Sequence, residues 1–182
     1  CSVAIVGCTM CSSATTCTTC TTGYALQSGM CALCSVLMNG CTKCSSGTVC
    51  TACDTSLHMH LSGTVCVCDT GYALNPNNCA TCASLIDSCV LCGSMSNCTT
   101  CVSGYFVNIN SQCSTCVSSI PGCLTCSSGS VCLTCNTTDM FTLTSPNCSC
   151  AAAFYYNSSN QSCGSCDMAY PGCIKCSNVT VC

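Results

Sequence analysis

A chain of 182 residues with 32 cysteines, no tryptophan and only three phenylalanines carries far more sulfur than large apolar side chains, which excludes a fold built around one broad apolar core. The formal charge of −3 comes from five aspartates against Lys43 and Lys175, with no arginine and no glutamate. A basic face for nucleic acid is therefore excluded, and cross-links must supply the order that core burial supplies elsewhere.

The cysteines recur in a frame, C-x6-C-x2-C-x5-C. It opens the chain at Cys1, Cys8, Cys11 and Cys17 and returns at Cys34, Cys41, Cys44 and Cys50. Further copies stand at Cys82, Cys89, Cys92 and Cys98, at Cys116, Cys123, Cys126 and Cys132, and at Cys166, Cys173, Cys176 and Cys182. Unslipped spacing of this kind is the mark of internal repeats. Between frames lie cysteine-closed loops of 10 to 12 residues: Cys20 to Cys31, Cys53 to Cys66, Cys68 to Cys79, Cys101 to Cys113, Cys135 to Cys148 and Cys150 to Cys163. Several contain Gly-Tyr near the start (Gly23-Tyr24, Gly71-Tyr72, Gly104-Tyr105) and a polar tip such as Asn75-Pro76-Asn77. Each reads as a small hairpin in which glycine permits the bend and the aromatic packs on a cross-link.

One loop follows the first and third frames and two follow the second and fourth. The expected units are therefore 1–33 (short), 34–81 (long), 82–115 (short), 116–165 (long) and 166–182, the start of a further repeat. Within the frames, Asn39-Gly40, Asp87-Ser88, Pro121-Gly122 and Pro171-Gly172 are turn formers, and proline before glycine suits a type II turn. The apolar residues ahead of them, Val36, Leu37, Leu85, Ile86 and Ile120, are expected to plug the sulfurs. No helical periodicity lasts beyond one turn, so the expected fold is a set of small disulfide-rich repeats: an extended rod of short β-hairpins and loops, with strands of two or three residues and little helix.

Disulfides at this density persist in oxidising compartments. The sequons at Asn97, Asn136, Asn147, Asn157, Asn160 and Asn178 point to N-glycosylation in the secretory route, and the many serines and threonines leave room for O-linked glycans. The expected location is secreted or on the cell surface. No apolar run approaches the length of a membrane span. The chain begins and ends on cysteine, which reads as a piece of a longer mature protein.

If each frame pairs first with third and second with fourth, and each loop closes on itself, every cysteine is used. The bonds are then Cys1–Cys11, Cys8–Cys17, Cys34–Cys44, Cys41–Cys50, Cys82–Cys92, Cys89–Cys98, Cys116–Cys126, Cys123–Cys132, Cys166–Cys176 and Cys173–Cys182, with the six loop closures. A competing scheme takes Cys44, Cys50, Cys53, Cys66, Cys68 and Cys79 as one unit paired first to third, second to fourth and fifth to sixth. It would leave Cys176 and Cys182 unpaired here.

Alternating two-bond frames and one-bond loops resemble the furin-like, growth-factor-receptor cysteine-rich repeats, and the run from Cys44 to Cys79 resembles an epidermal-growth-factor-like module. The dense C-x2-C pairs on an almost uncharged, Ser/Thr-rich background are most similar to protist surface proteins, such as ciliate surface antigens and the variant surface proteins of parasitic flagellates. The resemblance implies an extended extracellular rod and carries over no catalytic residues.

Cys31, Cys34, Cys41 and Cys44 have a spacing that suits four-thiolate zinc, but such a site is doubly negative and the chain has two lysines. Structural disulfides are the expected state, with no cofactor and no metal. His58 and His60 read as a surface loop, and Tyr24, Tyr72 and Tyr105 as packing partners. No pair shows the cation or helix terminus that a redox-active thiol needs, and no catalytic set is visible, so the expected class is not an enzyme. All sequons lie beyond residue 96; the sequon-free first half, with apolar residues such as Val3, Ile5, Val6, Met30, Leu37 and Met38, is expected to be the more buried against neighbouring chains or repeats. The leading expectation is a self-assembling structural glycoprotein of a surface coat or filament. The alternative is a receptor or adhesin ectodomain that binds a protein or glycan.

Overall fold

The structure, a computed structural model, describes residues 5–178 and 180–182; Cys1, with the bond to Cys11 expected for it, and Val3 lie outside them. The chain divides into two compact units, one ending at Leu85 and one starting at Ile86. In both, the described strands pair only as two-stranded antiparallel sheets.

In the first unit the frame hairpins are Cys8–Ser13 with Thr16–Cys20 and Cys41–Ser46 with Val49–Cys53. The loop hairpins are Tyr24–Gln27 with Met30–Leu33, Met59–Ser62 with Val65–Cys68 and Tyr72–Asn75 with Asn78–Thr81. In the second unit the frames give Cys89–Ser94 with Asn97–Cys101 and Cys123–Ser128 with Val131–Cys135. Its loops give Tyr105–Val107 with Cys113–Thr115, Phe141–Thr144 with Asn147–Cys150 and Phe154–Asn157 with Ser162–Ser165. The strands thus run three to six residues, longer than the two or three expected. Each frame hairpin keeps pairing through register shifts, and bulges of that kind admit an extra residue without ending the ladder.

Each frame from the second onward opens with one helical turn: Cys34–Leu37, Cys82–Leu85, Cys116–Ser119 and Cys166–Ala169. The turn explains which apolar residue covers the sulfurs. A helical residue shares its face with the one four positions on, and the amides of Met38 and Ile120 donate to the carbonyls of Cys34 and Cys116 at 2.8 and 2.9 Å. Met38 accordingly packs on Cys34, Cys41 and Cys50, and Ile120 joins Cys116, Cys123, Cys132 and Phe141 in a buried cluster. Ile86 is buried as well. Val36, expected in that role, sits two residues after the cysteine and is 76% exposed.

Buried residues are chiefly cysteines, joined by Met59, Ala25, Ala73, Ile86, Ile120 and Phe141, and no polar or charged residue is buried among the described residues. The glycine before the second cysteine has two tasks. Gly40 and Gly122 adopt φ of +69° and +74°, and the side chain of the following loop hairpin lies flat on each: a Cβ at Gly122 would fall within the Phe141 ring, and one at Gly40 within reach of the Met59 sulfur. Gly172 has φ of +84° but nothing within 4 Å.

Gly122→Ala therefore adds a steric conflict to the backbone strain, whereas Gly172→Ala adds the strain alone. We expect the first to cost about 1–3 kcal/mol and the second distinctly less. Guanidinium unfolding of the two variants, followed at the second unit, checks the order.

Candidate functional site

The feature that recurs most closely is a meeting of two disulfides where a frame joins the loop after it. Backbone geometry builds it. The fourth frame cysteine donates its amide to a carbonyl in the turn of the following loop hairpin: Cys17 to Gly29 at 2.6 Å, Cys50 to Thr64 at 2.8 Å, Cys98 to Ser111 at 2.9 Å and Cys132 to Pro146 at 2.7 Å. The Ser28-Gly29 turn has positive φ at both residues, as the tightest hairpins require. Folding the hairpin back in this way lays its closing disulfide on the frame disulfide.

The bonds are Cys8–Cys17 beside Cys20–Cys31, Cys41–Cys50 beside Cys53–Cys66, Cys89–Cys98 beside Cys101–Cys113, and Cys123–Cys132 beside Cys135–Cys148. Between the members of each pair, non-bonded sulfurs approach to 3.3 Å (Cys17 and Cys31), 3.4 Å (Cys50 and Cys66), 3.4 Å (Cys98 and Cys113) and 3.3 Å (Cys132 and Cys148). The other frame bonds are Cys34–Cys44, Cys116–Cys126, Cys166–Cys176 and Cys173–Cys182, and the remaining loops close through Cys68–Cys79 and Cys150–Cys163. Cys11, Cys82 and Cys92 are disulfide-bonded too, and no described cysteine is free. The epidermal-growth-factor order is not the one formed, since Cys44 is joined to Cys34 and Cys50 to Cys41.

Burial differs within each pair. The frame cysteines Cys41 and Cys50 are 0% and 2% exposed, while the loop cysteines Cys53 and Cys66 are half-buried. The first and third pairs repeat this contrast. Carbonyl oxygens crowd the buried bond, with Lys43 O 3.0 Å from Cys41 Sγ and Ala52 O 3.2 Å from Cys50 Sγ.

Three sulfurs at each junction, for example Cys41, Cys50 and Cys66, lie within 4.8 Å of one another. They offer a metal ion ligands only as thiolates, and here each is spent in a disulfide. The thiolate set suggested by spacing, Cys31, Cys34, Cys41 and Cys44, is divided among separate bonds to Cys20, Cys44 and Cys50. His58 and His60 do not converge either: the His58 ring stacks on Tyr72 with centroids 4.3 Å apart, and His60 Nδ1 meets Asp69 Oδ1 at 2.8 Å on an exposed surface.

Asp54 caps the 3-10 turn Thr55–Leu57 that leads from the second frame into its loop, accepting at Oδ1 from the Ser56 hydroxyl at 2.6 Å and the Ser56 amide at 2.9 Å. Asn136 caps Thr137–Asp139 in the second unit, its Oδ1 accepting from the Thr138 amide at 3.2 Å and its Nδ2 donating to Asp139 Oδ2 at 2.6 Å. The Ser56 hydroxyl, with its amide behind it, holds the Asp54 carboxyl below the ordinary carboxylate range. Tyr24 packs over Gly7. Tyr105 lines a groove of about 320 Å³ with Thr115, Asn136, Asp139, Phe141 and Gln161.

Among the sequons, Asn97, Asn147, Asn160 and Asn178 are exposed, and Asn136 and Asn157 half-buried. Asn97 and Asn147 lie in strands with Cys98 and Cys148 as their middle residues. Of the apolar residues in the sequon-free half, Val6 and Met30 are exposed in the single chain and Ile5, Leu37 and Met38 half-buried.

Spacing alone did not reveal the contact between disulfides. The signal was nevertheless present: the fourth frame cysteine is followed after two residues by the first loop cysteine in Cys17/Cys20, Cys50/Cys53, Cys98/Cys101 and Cys132/Cys135.

Comparison with protein-family models, with curated proteins and with solved structures finds no match. No helix is long and apolar enough to cross a membrane among the described residues.

The Asp54 bonds have a pH signature. A depressed carboxyl contributes stability that is complete above its unfolded value of about 3.9 and is lost as pH falls through the folded one. The Ser56 amide resonance should titrate with a midpoint below that value, and in Ser56→Ala the midpoint should rise. An unchanged midpoint in the variant would show that the hydroxyl is not the cause.

Proposed function

We propose that the chain is a structural extracellular protein, a disulfide-stapled rod that packs against copies of itself in a surface coat or filament and carries N-linked, and in places O-linked, glycans. The observation that carries this reading is that short hairpins are closed one by one on sulfur, with a nearly uncharged and partly apolar surface left outside. Each unit of that kind touches chiefly its neighbours in sequence, which suits a linear array. Disulfides of this number fit a secreted or cell-surface setting. The frame and loop pattern favours the furin-like resemblance over the epidermal-growth-factor-like one, and the Ser/Thr-rich, almost uncharged background favours a protist surface protein.

The surface supports lateral association. Ile109, Met168, Ile174 and Val36 are 100%, 88%, 86% and 76% exposed, and a net charge of −3 supplies little long-range repulsion between copies. Exposed asparagines at four of the six sequons, Asn97, Asn147, Asn160 and Asn178, are compatible with glycans at the outer side of such an assembly. A receptor or adhesin ectodomain is the second reading, favoured by the groove that sets the Tyr105 ring beside Asn136, Asp139 and Gln161, a combination suited to a sugar or peptide.

Purified chain, examined by sedimentation and negative-stain electron microscopy over a concentration series, should form ordered polymers. Their yield should change little with added salt, because few charges are available to be screened. A monodisperse monomer throughout the series would overturn the assembly reading and leave the receptor reading standing.

A further inference from the structure

We infer that each of the first three junctions between frame and loop is a thiol-triggered exchange relay, in which an external monothiol opens the half-buried loop bond and the buried frame bond then swaps partners with it. The second frame carries the argument most fully. Cys66 Sγ is 3.4 Å from Cys50 Sγ, a sulfur to which it is not bonded. Cys41 and Cys53 are register partners in the frame hairpin, and opposed residues of an antiparallel pair have Cα atoms about 4.5–5.5 Å apart, within the span a disulfide bridges. The four sulfurs therefore support two complete pairings: Cys41–Cys50 with Cys53–Cys66, as found, or Cys41–Cys53 with Cys50–Cys66.

Access decides where exchange begins. Cys41 and Cys50 are 0% and 2% exposed and flanked by the carbonyls of Lys43 and Ala52, whose oxygens repel an approaching thiolate. Cys53 and Cys66 are half-buried and open to it. The external thiolate attacks Cys53 Sγ; the Cys53–Cys66 bond breaks, a mixed disulfide forms on Cys53, and Cys66 departs as a thiolate with the electron pair. Cys66 then attacks Cys50, forming Cys50–Cys66 and releasing Cys41 as a thiolate. Cys41 attacks the mixed disulfide at Cys53, forming Cys41–Cys53 and returning the external thiolate. Three exchanges leave the number of disulfides unchanged, so the thiol acts catalytically and no net oxidant or reductant is consumed. The same elements recur at the first and third junctions, in the sulfur contacts and the register pairs Cys8 with Cys20 and Cys89 with Cys101; the fourth has the contact and the pair Cys123 with Cys135, but Cys135 is buried.

The consequence for the molecule is directional. A buried frame bond such as Cys41–Cys50, which no external thiol reaches directly, is still open to one that enters through the next loop.

Two measurements test this. The oxidised chain is exposed briefly to 2-mercaptoethanol, quenched with N-ethylmaleimide and mapped by electron-transfer fragmentation. Proximity raises effective concentration, so Cys50–Cys66 should exceed a non-adjacent pair such as Cys50–Cys79 by about tenfold or more; equal amounts, or mixed disulfides on Cys53 with no Cys50–Cys66, would overturn the relay. Independently, Cys41→Ser/Cys53→Ser leaves Cys50 and Cys66 as the junction's remaining sulfurs. The denatured variant should take up no maleimide at that junction, and two adducts would count against the proposal. The mapping experiment uses the unaltered chain and decides the matter even where the variant folds poorly.

Discussion

Everything in this molecule depends on sulfur occupying the place of an apolar core. The buried positions are chiefly half-cystines, and the few apolar residues that join them are Ala25, Met59, Ala73, Ile86, Ile120 and Phe141. A closed loop of about 15 residues removes roughly 3 kcal/mol of unfolded-chain freedom, and shorter loops somewhat less. The bonds here span 9 to 13 residues, so each closes its own neighbourhood and no repeat has to wait for a distant partner. That locality is why the fold needs neither long strands nor long helices.

The backbone details serve the same end. One helical turn presents the first frame cysteine inward and brings the residue four places on over it, as the Met38 and Ile120 amides show. A left-handed glycine then reverses the chain and offers a flat bed to the next hairpin's Met59 or Phe141. The next frame is tied on through the amide of its first cysteine, which donates to Gly23, Gly71, Gly104 or, in the last case, Ala153. These are short-range devices, and each couples a disulfide to the one after it.

Much of this was legible in the cysteine spacing. Five unslipped copies of one frame limited the arrangements, and the Gly-Tyr and Asn-Pro-Asn segments marked hairpins. Two features were not legible, for physical reasons. The choice of Met38 rather than Val36 as the covering residue of the second frame depends on a single helical turn, too short to leave a periodic signature, whereas Ile86 and Ile120 are buried, as their place ahead of the turn formers implies. The approach of Cys66 to Cys50 depends on the hydrogen bond from the Cys50 amide to the Thr64 carbonyl; the short step from Cys50 to Cys53 brings the two bonds near each other, but the folding back of the hairpin is a tertiary contact that spacing does not encode. For the sequons, the sequence locates the asparagines but says nothing of burial, and the half-buried Asn136 and Asn157 stand apart from the others only in the structure.

The most direct test of a sulfur-built interior is to remove the bridges and leave every other atom in place. After complete reduction and alkylation with a small reagent, the amide proton spectrum of the chain should collapse to the narrow range of an unfolded polypeptide, and near-ultraviolet dichroism should vanish. Retention of dispersed resonances in the alkylated chain would show that apolar packing alone suffices to hold the hairpins, and would contradict the account.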